Sequence, residues 1–246
     1  MKNEKKRIDN KIFATQLALP LKFKTINNSD NFIISDCNKD AVELVDNFDF
    51  WKNNKNINSI PAIIIYGPKG CGKTHISSIY QQQVDCITLS SITSKEIRLA
   101  EKGNNFIVDN FLPSKDFSSE MVMHFLNEVK YNSGSVLFLS RLSAFNTDWS
   151  LDDLNSRMRS LMSCEIKLPD EILLYTILIK YSEDKKLILN DKQCLYIIER
   201  IERNFETVIS VIDNLDRISL ETKKKLTFET IQNIINLMTI NKNNQI

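Results

Sequence analysis

A glycine-rich turn between an apolar run and an amphipathic stretch constrains the fold of this chain most. Residues 63–75 read IIIYGPKGCGKTH, in which Gly67, Gly72, Lys73 and Thr74 have the spacing G-x-x-x-x-G-K-[ST]. Between a strand and a helix, the backbone amides of such a turn cradle phosphates, Lys73 can neutralise the β and γ oxygens, and Thr74 can hold Mg²⁺. The residues predicted to contact a nucleotide are Gly67, Pro68, Lys69, Gly70, Cys71, Gly72, Lys73 and Thr74.

Short apolar runs alternate with amphipathic stretches from Pro61 onward. The runs are AIIIY (62–66), CITL (86–89), FIVD (106–109), VLFLS (136–140) and CEIKL (164–168). Such runs, rich in β-branched and aromatic residues, are typical of strands buried on both faces of a parallel sheet. Helices are predicted at 73–82, 93–101, 118–131 and 151–162. The alternation predicts an α/β domain with a parallel five-stranded sheet flanked by helices.

The pattern changes after Pro169, where four consecutive segments carry apolar residues near i, i+3, i+4 and i+7. These segments predict a small all-α domain, joined to the α/β domain by a hinge at Leu168–Pro169. We therefore expect a flexible N-terminal tail at 1–30, an α/β nucleotide-binding domain at 31–168 and a helical domain at 169–246.

A second part of the phosphate site is predicted at the end of the strand FIVDN. Asp109 lies where the Walker B acid of P-loop proteins binds Mg²⁺ directly or through water, so Thr74 and Asp109 are the predicted metal residues. The alternative is an aspartate that only caps a helix. Asn110 follows, where many P-loop enzymes carry an acid that polarises the attacking water. An amide cannot act as a base, so intrinsic hydrolysis is expected to be slow.

Two regions contain arginines that could reach a nucleotide. DLNSRMRS places Arg157 and Arg159 on a helix before the last strand, and IDNLDRIS places Arg217 in the third helix of the C-terminal domain. An arginine that folds back from a mobile domain can couple binding to closure, and one that reaches a neighbour's γ-phosphate is an arginine finger. The simpler alternative for each is a surface ion pair.

The composition excludes several classes of protein. The 246 residues are 42% hydrophobic and 26% charged, with a net charge of +1, so no whole-protein field would hold nucleic acid. The five cysteines contain no C-x-x-C pair, which suggests neither a disulfide framework nor a zinc site and fits a reducing cytoplasm. No apolar run approaches the ~18 residues of a membrane span, and the N-terminus lacks the cleavage site of a signal peptide.

Together the motifs resemble the AAA+ module of the bacterial replication initiator DnaA, and most closely its short relatives of the Hda family, regulatory inactivators of DnaA. FIISDCNKDAVELV is similar to the initiator's F-V-x-G-x-x-N-x-x-A box, with Ser35 in place of the usual glycine. GPKGCGKTH includes a histidine typical of these proteins, His75, which becomes a further predicted nucleotide contact. LDRIS and the later KKKLTFETIQNII are similar to the sensor 2 helix and the end of the lid. The resemblance covers nearly the whole chain and implies an AAA+ P-loop NTPase fold followed by an α-helical lid.

The resemblance also assigns roles to the arginines. DLNSR looks like the box that carries the arginine finger, which makes Arg157 the finger acting on a neighbouring molecule, while Arg217 becomes sensor 2. The end of the fourth strand departs from the family pattern, because Ser140–Arg141 stands where the initiators usually have an aspartate after a small residue. Polar sensing of a γ-phosphate there is in doubt, and Arg141 could face a partner instead.

Three features favour Hda over the initiator itself. No helix-turn-helix segment that would read DNA in the major groove is expected after the lid. Asp109–Asn110 resembles the pair in Hda rather than the paired acids of the initiator. The N-terminal region carries the peptide QLALPL.

This peptide, at 16–21, looks like the sliding-clamp-binding peptide of Hda. In an extended chain Gln16 can make side-chain hydrogen bonds, Leu17, Leu19 and Leu21 can fill pockets, and Pro20 restrains the backbone and lowers the ordering cost of binding. The alternative is a strand or staple folded onto the protein's own core.

The resemblance implies a cytoplasmic negative regulator of replication initiation. Such a protein would bind ADP or ATP with Mg²⁺, with ADP as the resident nucleotide, and would have weak or no ATPase activity of its own. Its expected partners are DnaA, the sliding clamp (the β subunit of DNA polymerase III), DNA indirectly through the clamp, and a second copy of the chain, but no membrane. Two alternatives are a self-sufficient P-loop ATPase of the helicase-loader type and a DnaA-related adaptor that recruits factors to the origin.

Overall fold

The computed structural model describes residues 33–53, 60–222 and 226–243. The predicted tail at 1–30, including the clamp peptide at 16–21, lies outside the described residues. Within the described ranges, no helix combines the length and apolar character needed to cross a membrane.

The core of the fold is a five-stranded parallel sheet with the strand order β2-β3-β4-β1-β5. The strands are β1 (Ala62–Tyr66), β2 (Cys86–Leu89), β3 (Asn105–Val108), β4 (Ser135–Ser140) and β5 (Met162–Glu165). This confirms the predicted sheet. The central strands β1, β3 and β4 are almost entirely buried, which explains their continuous apolar sequences.

The last strand begins two residues and ends three residues earlier than predicted, at Met162–Glu165 instead of 164–168. It pairs with β1 from Ile63↔Met162 to Tyr66↔Glu165. Because β1 ends at Tyr66, the residues after Ile166 have no strand partner there, and the apolar character of Leu168 gave a misleading boundary. The preceding helix correspondingly ends at Ser160, not at 162.

Helices cover both faces of the sheet. They are α1 (Lys39–Asp46), α2 (Phe48–Asn53), α3 (Lys73–Gln83), α4 (Ser94–Ala100), α5 (Ser119–Tyr131) and α6 (Asp152–Ser160), with a short 3₁₀ helix at Ala144–Asn146. Side chains alternate between the two faces along each central strand. In β4, Val136 and Phe138 join the cluster with α5, while Leu137 and Leu139 join the cluster with α1 and α3.

Four further helices form a C-terminal bundle with its own apolar core, as predicted. They are α7 (Glu171–Asp184), α8 (Asp191–Ile198), α9 (Phe205–Thr222) and α10 (Phe228–Asn243). Side-chain caps at Asp170 and Asn190 begin α7 and α8. The proposed hinge at Leu168–Pro169 falls in the connection between β5 and α7. That the two parts behave as separate domains stays a prediction.

A polar chain lies within the apolar layer between α3 and the sheet. The hydroxyls of Tyr80 and Ser135 lie 2.7 Å apart, and Ser135 Oγ donates to Asn105 Oδ1 (2.6 Å). Tyr80 is fully buried, and burial raises the pKa of its hydroxyl. Because Ser135 donates to Asn105, Tyr80 is the donor in the bond between the two hydroxyls.

Replacing Tyr80 by Phe should therefore lower the free energy of unfolding by about 1 kcal/mol, the net value of one hydrogen bond. Urea unfolding measures the change. The matched control is Tyr131→Phe, because the Tyr131 side chain is 87% exposed. Equal urea midpoints for the two variants would show that the buried hydroxyl contributes nothing to the free energy of unfolding.

Candidate functional site

Three loops meet at the carboxyl edge of the sheet. The P-loop (residues 67–74) follows β1, Ser140–Arg141 ends β4, and Asp109 follows β3. The N–H of Gly67 donates to the carbonyl oxygen of Ser140 (3.2 Å), and the N–H of Phe111 donates to that of Leu139 (2.9 Å). These bonds fix the P-loop and the loop after Asp109 to the end of the same central strand.

Two glycines of the P-loop occupy places where a side chain would clash with the backbone or strain it. A Cβ at Gly67 would lie 2.3 Å from the carbonyl oxygen of Ile166 and 2.9 Å from Cys71 Sγ. Gly72, with φ of 99°, is the left-handed residue that precedes α3. The motif therefore turns the chain sharply from β1 into α3, which directs the N-terminus of α3 toward the loop.

The ammonium group of Lys73 lies over the P-loop. Its Nζ donates to the carbonyl oxygens of Gly67 (2.7 Å) and Pro68 (2.8 Å) and lies 3.7 Å from Cys71 Sγ. Burial raises the pKa of the Cys71 thiol despite this nearby charge, so the thiol is not an ionised nucleophile. Thr74 is exposed in the first turn of α3. Lys73 thus sits where it can exchange carbonyl partners for phosphate oxygens.

The predicted Walker B pair is exposed to different degrees. Asp109 is partly buried, and its Oδ1 accepts the N–H of Asn110 (2.8 Å). Asn110 is exposed and left-handed, with φ of 52°, a conformation that asparagine tolerates better than most residues. Among the residues that the structure describes, no three His, Cys, Asp or Glu side chains form a metal cluster. The oxygens of Thr74 and Asp109 suit Mg²⁺ chemically, since that ion prefers few protein oxygens together with phosphate and water.

An apolar pocket adjoins the P-loop and was not predicted. It is lined by Ile33, Asn38, Gly72, His75, Ile177, Tyr181, Phe205 and Ile209. Desolvation by burial lowers the pKa of His75, which favours the neutral imidazole. The pocket is small, about 30 Å³, and partly open to solvent. Gly72 and His75 belong to the P-loop motif, whereas the lining residues from α7 and α9 carry no local motif and resemble ordinary core positions.

Arg157 is held within its own molecule. In α6, its Nη2 lies 3.0 Å from Asp153 Oδ2, and its Nη1 donates to Asn127 Oδ1 on α5 (2.7 Å). The side chain is 35% exposed, while Arg159 is exposed at the end of the same helix. The guanidinium is therefore at the surface, with partners that a stronger anion could replace.

Arg217 lies far from the P-loop along α9. The first residue of this helix, Phe205, packs near Gly72, but Arg217 is ~18 Å farther along the helix axis at 1.5 Å per residue. Its Nη2 donates to Asn214 Oδ1 (3.0 Å), and it lines a cavity of about 820 Å³ that extends to Lys69. The structure thus does not bring Arg217 next to Lys73 in this position of the bundle.

Ser140 and Arg141 differ in exposure. Ser140 is buried, and its Oγ accepts the N–H of Leu142 (3.2 Å). Arg141 is exposed at the edge between the P-loop and the Asp109 loop. Its role as a phosphate or partner contact stays a prediction.

Comparison with known proteins agrees with this architecture. Residues 170–235 match the family model described as "Hda, lid domain". DnaA of Ureaplasma parvum is 24% identical over 208 residues, covering 74% of this chain and 45% of that protein. The chain thus spans less than half the length of this relative.

Solved structures show the same fold. Domain III of DnaA from Thermotoga maritima matches with a TM-score of 0.63 at 17% identity, over 84% of this chain and 94% of that one. AMPPCP-bound DnaA from Aquifex aeolicus matches with a TM-score of 0.58 at 20% identity, over 76% of this chain and 64% of that one. Residues 170–235 are thus similar to the lid of the Hda family, and the described chain has the fold of domain III of DnaA.

Proposed function

We propose that this protein binds an adenine nucleotide and regulates the initiator DnaA by stimulating hydrolysis of the ATP that DnaA holds. The observation that carries the proposal is the glycine turn from β1 into α3, with Lys73 over it, beside Asp109–Asn110, a pair that could hold Mg²⁺ but offers no second acid. Such a site favours nucleotide retention over turnover. The Hda-like lid supports DnaA as the partner.

In the proposed site, the P-loop amides and the N-terminus of α3 hold the phosphates. Lys73 exchanges its bonds to Gly67 and Pro68 for phosphate oxygens, and Thr74 and Asp109 hold Mg²⁺, directly or through water. A Mg²⁺ ion held there would supply positive charge to the phosphates of the bound nucleotide. The solved DnaA of Aquifex aeolicus carries AMPPCP, which supports an adenine nucleotide, ADP or ATP, for this chain. Arg217 would approach the phosphates only after the lid rotates.

Intrinsic hydrolysis should be slow because the residue after Asp109 is an amide. Asn110 can orient a water molecule but cannot accept its proton. The acid that positions water would come from the partner's site, where ATP is held. Dependence on an acid in the partner's site distinguishes the proposed regulator from a self-sufficient P-loop ATPase.

Arg157 is proposed to complete the partner's site as an arginine finger. Its pair with Asp153 is largely exposed and of the i, i+4 type, so the pair stabilises the protein by only about 0.3–0.5 kcal/mol. A Mg-bound triphosphate with developing charge offers a stronger partner, and the guanidinium can leave Asp153 at little cost. A finger supplied by a second molecule raises the rate of hydrolysis by ~10³ to 10⁵.

The peptide at 16–21 is proposed to dock into a groove of the sliding clamp. Leucines spaced two residues apart in an extended chain reach the same side and can fill adjacent pockets. Docking would keep Arg157 near DnaA at the replication machinery, with DNA contacted only through the clamp.

Replacing Lys73 by Ala should weaken ADP binding about 10- to 150-fold, because a hydrogen bond to a charged group is lost. Titration with a fluorescent ADP analogue measures the dissociation constant. Lys95→Ala is the control, since Lys95 is exposed on α4. An unchanged constant in the Lys73 variant would reject the P-loop as the nucleotide site.

Replacing Arg157 by Ala should abolish stimulation of DnaA ATP hydrolysis, a loss of ~10³ or more. ADP binding and clamp binding should be unaffected, because Arg157 belongs to α6 and to neither the P-loop nor the peptide at 16–21. Phosphate release from ATP-bound DnaA provides the measurement, with Arg159→Ala as the control from the same helix. Retained stimulation would reject Arg157 as the finger.

The double variant Gln16→Ala with Leu19→Ala should lose clamp binding without losing stability. A pull-down on the clamp tests binding, and a thermal melt tests folding. If the clamp is still retained, or if the melting temperature falls sharply, the peptide belongs to the protein's own fold.

A further inference from the structure

We infer that the first turn of α9 controls the shape of the P-loop, through a hydrogen bond from the backbone N–H of Phe205 to the carbonyl oxygen of Gly70 (3.1 Å). Phe205 is the first residue of α9. The first N–H groups of a helix have no acceptor inside the helix. Here the acceptor for one of them comes from the P-loop, which is distant in sequence.

Close packing surrounds this bond. Gly70 has φ of 76°, and a Cβ there would lie 2.8 Å from Asn204 Cβ. Asn204 in turn accepts the N–H of Thr207 with Oδ1 (2.7 Å), which caps α9 and holds Asn204 in place. The ring of Phe205 would lie 3.2 Å from a Cβ at Gly72. The start of α9 therefore packs against the P-loop at two positions that have no side chain, Gly70 and Gly72.

The ion pair beside this contact contributes less to the coupling between the lid and the P-loop. Lys69 Nζ lies 3.5 Å from Glu206 Oε2, but both side chains are more than 60% exposed. An exposed pair of this kind contributes little, because water and salt screen it. The coupling between lid and P-loop must then come mainly from the backbone bond and the packing around it.

The bond fixes the orientation of one peptide unit of the loop. Because the peptide between Gly70 and Cys71 is planar and trans, its C=O and N–H point in opposite directions. When Gly70 O points to α9, the N–H of Cys71 points back into the loop, where it donates to the carbonyl oxygen of Pro68 (3.4 Å). Amides that point into such a loop are the groups that cradle phosphate, and a phosphate oxygen would replace Pro68 as the acceptor. A lid that moves away removes one of the two bonds that orient this peptide, and so loosens a phosphate donor.

This contact gives the lid a route to the nucleotide that does not depend on Arg217. The first turn of α9 touches the loop, whereas Arg217 is ~18 Å farther along the same helix. Phe205, Asn204 and Gly70 are thus positioning residues for the phosphate site. The inference rests on the proposed nucleotide binding at the P-loop, but on neither the finger nor the clamp.

The test compares Phe205→Pro with Phe205→Ala. Both variants lose the ring, but only proline loses the N–H. Proline suits the first position of a helix, and the residue before a helix commonly has the extended backbone that a following proline requires.

We expect the proline variant to release a fluorescent ADP analogue about 2- to 13-fold faster than the alanine variant, the effect of one hydrogen bond. The rise in melting temperature on adding MgADP should be smaller for proline, a difference that a purely structural role would not produce. Equal release rates would overturn the inference.

Amide hydrogen exchange in the unmodified protein tests the same contact if the proline variant does not fold. The Phe205 N–H should exchange about 2- to 13-fold more slowly than a free first-turn amide. Glu171, the first residue of α7, is the reference, because its N–H donates to no residue that the structure describes. If the N–H of Phe205 exchanges as fast as the N–H of Glu171, the contact is refuted. If the protein binds no ADP at all, the proposed function fails, and this exchange measurement still decides whether the lid holds Gly70.

Discussion

The close approach of Gly67 to the two strands beside β1 holds the candidate site together. Its N–H binds the end of β4, and its Cα lies against the carbonyl oxygen of Ile166, just after β5, at a distance that leaves no room for a side chain. The P-loop can therefore start only where the sheet ends, with α3 directed back toward it. The position of Lys73 at the start of α3 follows from this constraint, while separate backbone bonds place the Asp109 loop on the end of β4 and the first turn of α9 on Gly70.

In the proposed function, the charges around the site divide the work between two molecules. Lys73 and Asp109 can hold a nucleotide and its metal, while Asn110 provides no base, so the site suits binding more than hydrolysis. Arg157 lies on α6 at the surface, paired to Asp153 and Asn127 of its own molecule. A guanidinium kept at the surface by exchangeable partners is suited to another molecule's triphosphate. Nucleotide retention in one molecule and charge stabilisation in another are thus consistent parts of one mechanism.

Much of the fold could be predicted because its signals are local. The strand at 62–66, the P-loop and the four C-terminal helices carry their own periodicity or glycine pattern. The last strand was placed two to three residues late, because pairing with β1 rather than apolar content sets its bounds. The pocket around Phe205, the bond from Phe205 to Gly70 and the contact of Arg157 with Asn127 join residues far apart in the chain. No local pattern specifies such pairs, since they depend on how the bundle packs against the sheet.

The most direct test of the account is ATP hydrolysis by DnaA, measured with this protein in the presence and absence of DNA-loaded clamp. The account predicts strong stimulation when both are present, little without the clamp, and almost no hydrolysis by this protein alone. Rapid, P-loop-dependent hydrolysis by the purified protein, together with no effect on DnaA, would contradict it.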